Sequence, residues 1–192
     1  MEQKVAFDHI ITHDQHPERF PILQSKALDC QVPPSEEDKA VIANMIEILV
    51  ALEEKAVGLA ASQVGYAKRI FVMKKPNGTL VPMINAEIIC RSLQTTYKPE
   101  GCLSLPNMVV KVQRPKRVTV KYFDTEGVVH IDNFEGLEAR IIFHETDHNN
   151  GILLGEHMAT FLDKKAKLLA ETNRIRQVQK AKRRRLTKLR RQ

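Results

Sequence analysis

Apolar side chains recur every three or four positions in the segment that follows Ser35. They stand at Ile42, Met45, Ile46, Leu49 and Leu52. This spacing places them on one face of a helix. Ser35 can cap the first turn, and Asp38, three residues further on, completes a capping box of the acidic kind. The pattern predicts a packing helix that begins after Ser35.

Short runs of β-branched and aromatic residues, separated by turn residues, predict strands over the middle of the chain. Residues 70–73 and 80–84 flank a Lys-Pro-Asn-Gly turn, and this arrangement predicts a hairpin. Residues 57–65 are small and mostly apolar with one amide, and we expect a turn there. Further strands are predicted at 88–89, 95–97, 108–112, 118–122 and 128–131.

The composition is that of a globular protein. Of the 192 residues, 43% are hydrophobic, and no apolar run approaches the roughly 18 residues of a membrane span. The N-terminus has no apolar signal segment behind it, so we expect the protein to be cytoplasmic and without membrane contact. The three cysteines lack the spacing of a disulfide framework, which suits a reducing compartment.

The charge is distributed unevenly and divides the chain into three parts. Residues 164–192 hold 13 Lys and Arg and one acidic residue, whereas residues 1–163 hold 17 basic and 22 acidic residues. The basic segment continues a helical pattern, and we expect a C-terminal helix or tail there that binds polyanions. A solvated, disordered tail is the alternative. Residues 1–19 are polar and predict a solvated arm, and residues 20–163 the main domain.

A mostly apolar approach, suited to a buried helix, leads into His-Glu-Thr-Asp-His at residues 144–148. Residues four apart lie on the same face of a helix, so His144 and His148 can hold one metal ion. Glu145 lies at the edge of that face, where it can act as a base for water without being a ligand. Two imidazoles with a neighbouring carboxylate predict a hydrolytic metal site, the alternative being an amphipathic helix with two surface histidines.

The third ligand distinguishes between the classes of hydrolase that share this motif. Leu154 stands where one metalloprotease group has a third histidine, which excludes that group. Glu171 could serve as a glutamate from a later helix, but it lies inside the basic segment. Cys102 is a better ligand, because a thiolate suits a borderline divalent metal and leaves one position open for water.

Three motifs together resemble the signature motifs of peptide deformylases. They are Gly-Leu-Ala-Ala-Ser-Gln at 58–63, Glu-Gly-Cys-Leu-Ser at 100–104 and the His-Glu-x-x-His at 144–148, in the family's order and with similar spacing. Ala56 and Ser62 depart from the first motif, where the family has glycine and often proline. Ala56 puts in doubt only a backbone conformation with positive φ. Phe143 stands where many family members have glutamine.

The resemblance implies an enzyme that removes the N-formyl group from the N-terminal methionine of newly synthesised polypeptides. It implies Cys102, His144 and His148 as metal ligands, with iron(II) as the natural metal and zinc or nickel able to replace it. It also implies an α+β fold in which mostly antiparallel strands pack around a central metal-binding helix, followed by a C-terminal helix. Residues 20–163 would be the catalytic domain.

The same resemblance assigns the other site residues. Glu145 would move the proton, and the Gln63 amide and the backbone N–H of Leu103 would meet the oxyanion. The substrate-binding residues would be Gly58, Gly101, Leu137 and Ile141, the first two flanking an extended peptide and the last two lining a methionine pocket. By the same resemblance the basic tail would contact the ribosome or its RNA. The alternatives are a broader metallopeptidase or amidase, and an RNA-binding protein with a relic site.

Overall fold

The computed structural model describes residues 9–158 and Thr172. The chain forms two compact units, Met1–Leu154 and Gly155–Gln192. The predicted basic helix or tail at 164–192 therefore lies, apart from Thr172, outside the described residues. No helix in the described part is both long enough and apolar enough to span a membrane.

Helix α1 spans Glu36–Leu52 and begins at the predicted capping box. Ser35 Oγ accepts from the Asp38 backbone N–H at 3.1 Å, and Asp38 Oδ2 accepts from the Ser35 N–H at 2.9 Å. These two bonds satisfy groups that the first turn otherwise leaves unpaired. The buried face consists of Ile42, Met45, Ile48, Leu49 and Leu52, with Ile46 packed beside it.

Two antiparallel sheets form most of the first unit. The larger has the strand order β1-β2-β3-β6-β7, with strands Gly58–Ala60, Ile70–Lys74, Leu80–Arg91, Arg117–Phe123 and Val129–Glu135. The smaller pairs β4, Thr95–Cys102, with β5, Leu105–Pro115. Every pairing among these seven strands is antiparallel, so the predicted combination of helices with antiparallel strands is confirmed.

The first sheet differs from the sequence prediction at two places. Residues 58–60 form strand β1 instead of belonging to a turn, because they pair with β2 in the register Gly58↔Met73. Strand β3 spans Leu80–Arg91, so the strands predicted separately at 80–84 and 88–89 are one strand. It pairs first with β2 and then with β6, and its register shifts near Asn85, which has a φ of 51°. Strand β3 therefore pairs with both β2 and β6 along its length.

Helix α2, Leu137–Asn149, carries the histidine motif and packs against the larger sheet. Its apolar residues Ala139, Ile141, Ile142 and Phe143 join a buried cluster with side chains of β2, β3 and β6. The helix ends as predicted, because Asn150 is the C-cap and Gly151 has a φ of 70°. This packing fixes the face of the helix that carries both histidines.

The prediction of a solvated N-terminal arm is wrong for residues 10–12. Ile10 and Ile11 are completely buried, and the Ile11 N–H donates to the backbone oxygen of Gln63 at 2.8 Å. The sequence did not indicate that these isoleucines are buried, because two apolar residues among polar neighbours form no periodic pattern. Residues 1–8 lie outside the described part of the chain. Residues 154–158 are helical.

Candidate metal centre

One thiol and two imidazoles converge where strand β4 ends beside helix α2. Cys102 is the last residue of β4, and His144 and His148 lie one turn apart on α2. One ligand atom from each of the three lies within 4.8 Å of the other two. Cys102 Sγ is 3.3 Å from His148 Nε2. A sulfur and two nitrogens at this separation could bind one divalent metal ion.

Glu100 orients His144 from the side away from the thiol. Its Oε2 lies 3.1 Å from His144 Nδ1. Burial raises the pKa of Glu100, but hydrogen bonds from His144 and Arg114 outweigh burial and lower that pKa to about 2. A charged carboxylate can only accept, so Nδ1 donates to it, and Nε2 of the neutral imidazole then has a lone pair for a metal.

Two arginines hold Glu100 in turn. Arg114 donates to both carboxylate oxygens, at 3.0 and 2.9 Å, and Arg140 donates to Oε1 at 2.6 Å. Arg114 also pairs with Asp147 on helix α2 at 2.7 Å. All of these charged side chains are largely buried, and a buried charge is stable only when an opposite charge is paired with it. The sequence prediction missed this network, because its members lie far apart along the chain.

The environment of Cys102 makes its sulfur a thiolate. Burial raises the pKa of the thiol, but His148 and His144 outweigh burial and lower the pKa to about 5. Cys30 is the opposite case, because burial together with Asp38 raises its thiol pKa to about 12. Cys90 is exposed. A deprotonated sulfur is the form that binds metals, and this distinguishes Cys102 from the other two cysteines.

Glu145 lies beside the two histidines in a nearly closed environment. Its side chain is 3% exposed, and burial raises the pKa of its carboxyl group. A carboxylate with a raised pKa accepts a proton more readily than an ordinary glutamate does. The arrangement can therefore support proton transfer next to the sulfur and nitrogen donors.

The amide of Gln63 is held at both ends. Its Oε1 accepts from the Ala60 N–H at 2.9 Å, and its Nε2 donates to Ser104 Oγ at 3.1 Å. Nε2 also lies 3.8 Å from Cys102 Sγ. Ser104 was not predicted as a site residue, although it stands only two positions after Cys102. That closeness in sequence is the signal that could have identified it.

A cavity of ≈ 480 Å³ joins these groups to solvent. It is lined by nine of the ten residues predicted from the sequence, which are Gly58, Gln63, Gly101, Cys102, Leu103, Leu137, Ile141, His144 and Glu145. The tenth, His148, is buried behind them and contacts Cys102. Leu137 is 54% exposed at the cavity, whereas Ile141 is 4% exposed in its wall. The structure thus brings all ten residues to one place.

The departure from the motif at Ala56 has no conformational cost. Its φ of −138° and ψ of 138° are those of extended backbone, which any residue adopts. The doubt about a positive φ at this position is therefore removed. Ser62 is buried, and its Oγ has no hydrogen-bond partner among the described residues.

Comparisons with known proteins agree with one another. A sequence model of the polypeptide deformylase family matches residues 9–164. The peptide deformylase of Thermotoga maritima is 44% identical over 116 residues, which are 60% of this chain and 69% of that protein. The enzyme of Fusobacterium nucleatum is 37% identical over 148 residues, covering 74% of this chain and 84% of the relative.

Solved structures show the same likeness. The crystal structure of peptide deformylase from Thermotoga maritima superposes with a TM-score of 0.69 at 37% identity, covering 77% of this chain and 95% of that one. A Met-Ala-Ser-bound class I type b peptide deformylase from Acinetobacter baumannii gives 0.67 at 31% identity, covering 77% and 96%. The chain therefore belongs to the polypeptide deformylase family and is a hydrolase that removes the N-formyl group from the N-terminal methionine of new polypeptides.

Proposed function

We propose that Cys102, His144 and His148 hold the catalytic metal and that α2 is the central metal-binding helix of the fold. The observation that carries this proposal is the convergence of a thiolate and two imidazoles, one of them bonded to Glu100, beside the buried Glu145. The metal is iron(II), and zinc or nickel can replace it, because one sulfur and two nitrogens suit all three ions. When bound, such an ion acts as a Lewis acid and activates water.

The remaining steps belong to side chains and backbone groups of the chain itself. Glu145 accepts a proton from the attacking water and passes it to the leaving amine, so that formate and a free amino terminus are released. The Gln63 Nε2 and the backbone N–H of Leu103 donate to the oxyanion that forms when the formyl carbonyl is attacked. The hydrogen bonds from Gln63 to Ala60 and Ser104 fix the amide before substrate arrives.

The peptide lies extended along strand β1. In the larger sheet β1 is the first strand and pairs on one side with β2, so its other edge can accept main-chain hydrogen bonds. Gly58 and Gly101 both line the cavity, and Leu137 and Ile141 contribute apolar surface to it for the methionine side chain. The structure with Met-Ala-Ser bound in a relative supports a tripeptide-sized occupant.

One experiment separates the metal from the base. Cys102→Ala removes a ligand, so it should lose both metal and hydrolysis of formyl-Met-Ala-Ser. Glu145→Ala should keep the metal, while kcat falls by about 10²–10⁴ because only the proton transfer is lost. Metal content is measured by elemental analysis of protein prepared without oxygen, since a thiolate–iron site is open to oxidation.

Cys90→Ala is the matched control, because this cysteine is exposed and lies outside the cavity. It should keep both metal and activity. Full metal occupancy in Cys102→Ala would contradict the ligand assignment. Acetyl-Met-Ala-Ser serves as the second substrate, and its hydrolysis at a similar rate would indicate a broader amidase.

We propose in addition that residues 164–192 contact the ribosome through its RNA. The support is the charge of the segment, 13 basic residues against one acidic residue, next to an acidic preceding chain. A deformylase acts on polypeptides as they are made, so attachment to the ribosome would raise the local substrate concentration. A cytoplasmic location fits the three free cysteines, which a reducing compartment preserves.

A further inference from the structure

Position 58 has no room for a side chain larger than that of glycine. Its φ does not lie in the left-handed region, so its backbone conformation does not require glycine. A β-carbon at this position would overlap Glu145 Oε1 and lie 3.0 Å from its Cδ, with Ile141 Cγ2 at 2.9 Å. Gly101, which also lines the cavity, has more space, since the nearest atom to a β-carbon there would be the Met108 oxygen at 4.0 Å.

Packing determines where the Glu145 carboxylate lies. The side chain is 3% exposed, and its Oε2 has no hydrogen-bond partner among the residues that the structure describes. No hydrogen bond from the described residues fixes this oxygen, so the surfaces packed against the carboxylate contribute to its position. The α-carbon of Gly58 forms one of those surfaces.

We propose that Gly58 is a positioning residue for Glu145, and that its missing side chain is the slot in which the carboxylate lies. This inference rests on the proposed role of Glu145 as the proton carrier. It differs from the role that the resemblance implies for Gly58, which is close approach of the substrate backbone. The two roles predict different consequences for the same substitution.

Gly58→Ala should displace Glu145 more than it displaces the strand. Strand β1 is held by its antiparallel pairing with β2, in the register Gly58↔Met73, whereas a glutamate side chain can change rotamer. The carboxylate would turn away from the metal-ligating histidines. The methyl group of Ile141 must also shift, and the loss of stability that this shift causes does not depend on Glu145.

A double-mutant cycle isolates the part that depends on Glu145. The wild type, Gly58→Ala, Glu145→Ala and the double variant are loaded with zinc, and Tm and kcat for formyl-Met-Ala-Ser are measured for each. Gly58→Ala should lower Tm clearly in the wild type and much less in the Glu145→Ala background. It should lower kcat by about 10²-fold or more in the wild type and hardly at all in that background.

Binding of the product peptide Met-Ala-Ser, measured by calorimetry, separates the two roles of Gly58. It should be nearly unchanged if Gly58 positions Glu145, and clearly weakened if Gly58 receives the substrate backbone. Gly101→Ala is the matched comparison. It should lower Tm only slightly, and by the same amount in the wild type and in the Glu145→Ala background. Equal losses of Tm for Gly58→Ala in both backgrounds would overturn the proposal.

The outcomes also distinguish this inference from the proposed function. If Glu145→Ala alone keeps full kcat, Glu145 is not the proton carrier, and the role that we propose for this residue in hydrolysis is wrong. The Tm cycle still decides whether Gly58 makes room for the carboxylate. If Gly58→Ala does not fold by itself, recovery of folding in the double variant supports the inference, and failure of both variants contradicts it.

Discussion

The side chain of Gln63 shows how a single amide is prepared for catalysis. Both of its ends are already bonded, to Ala60 and to Ser104, so the amide cannot rotate without losing a hydrogen bond. Because it is buried, a lost bond would leave a polar group unsatisfied. The proposed donor is therefore preorganised, which is the property that makes oxyanion stabilisation effective.

Replacing Gln63 by alanine should affect the chemical step more than binding. Loss of one oxyanion donor is expected to lower kcat by about 10²–10³ with little change in KM. Steady-state kinetics with formyl-Met-Ala-Ser measures both constants. Ser104→Ala is the informative companion, since it keeps the amide and removes only its acceptor, and we expect a smaller loss of kcat. A change in KM alone for Gln63→Ala would make Gln63 a substrate-positioning residue.

The candidate site was predictable from sequence where its geometry is local. His144, Glu145 and His148 lie within five positions of one helix, and helical spacing alone places the two histidines together. The pairing of Cys102 with them spans 46 residues, and it was suggested by the ligand chemistry of a thiolate and by the likeness to a known family, not by any sequence spacing. The contacts of Glu100 with Arg114 and Arg140 span 14 and 40 residues and depend on the strand pairing. No periodicity in the sequence indicates them.

Among the elements, helix α1 was predicted most accurately because its signals are local. The capping box lies within four residues, and the apolar face repeats along one segment. Strand β3 was predicted as two short strands, at 80–84 and 88–89, because polar residues interrupt the apolar pattern between them, and pairing with β6 keeps the second part in the same strand. Strand β1 was predicted as part of a turn, because a strand of only three residues, Gly-Leu-Ala, depends on its pairing with β2.

The N-terminus of helix α1 should make stability depend on pH. Burial raises the pKa of Asp38, but hydrogen bonds from Ser35 and Tyr66 outweigh burial and lower that pKa below its ordinary value of 3.8. A group whose pKa is lowered by folding stabilises the protein above its unfolded pKa, and this contribution is lost as the pH falls towards the folded pKa. Asp38→Asn should therefore reduce the free energy of unfolding at pH 7.

The difference between wild type and Asp38→Asn should stay constant from pH 7 to about pH 5 and shrink below about pH 4. Urea denaturation at a series of pH values measures it. Glu36→Gln is the control in the same turn, because Glu36 is exposed and bonds only to Lys39 among the described contacts. A difference that does not shrink at low pH would mean that the Asp38 charge does not stabilise the cap.

Ser35→Ala removes the other half of the capping box and should lower the free energy of unfolding by about 1 kcal/mol.

At the scale of the whole molecule, the charge is divided along the chain. The residues before 164 carry an excess of acids, and the residues from 164 onward carry 13 basic residues against one acid. The cavity and all ten proposed site residues lie within residues 54–148. Catalysis on a short peptide and attachment to a polyanion should therefore depend on different parts of the chain.

Deletion of residues 180–192 should abolish co-sedimentation with ribosomes and leave hydrolysis of formyl-Met-Ala-Ser nearly unchanged. The acidic residues before 164 are repelled by phosphate, so the basic residues must supply the attraction. Binding of the full chain should weaken steeply with salt, since each phosphate contact releases counterions and attraction is screened within about 8–10 Å at physiological ionic strength. Arg183→Gln, Arg184→Gln and Arg185→Gln combined keep the length and should weaken binding in part. The proposal fails if the truncated chain sediments with equal affinity, or if binding of the full chain is independent of salt.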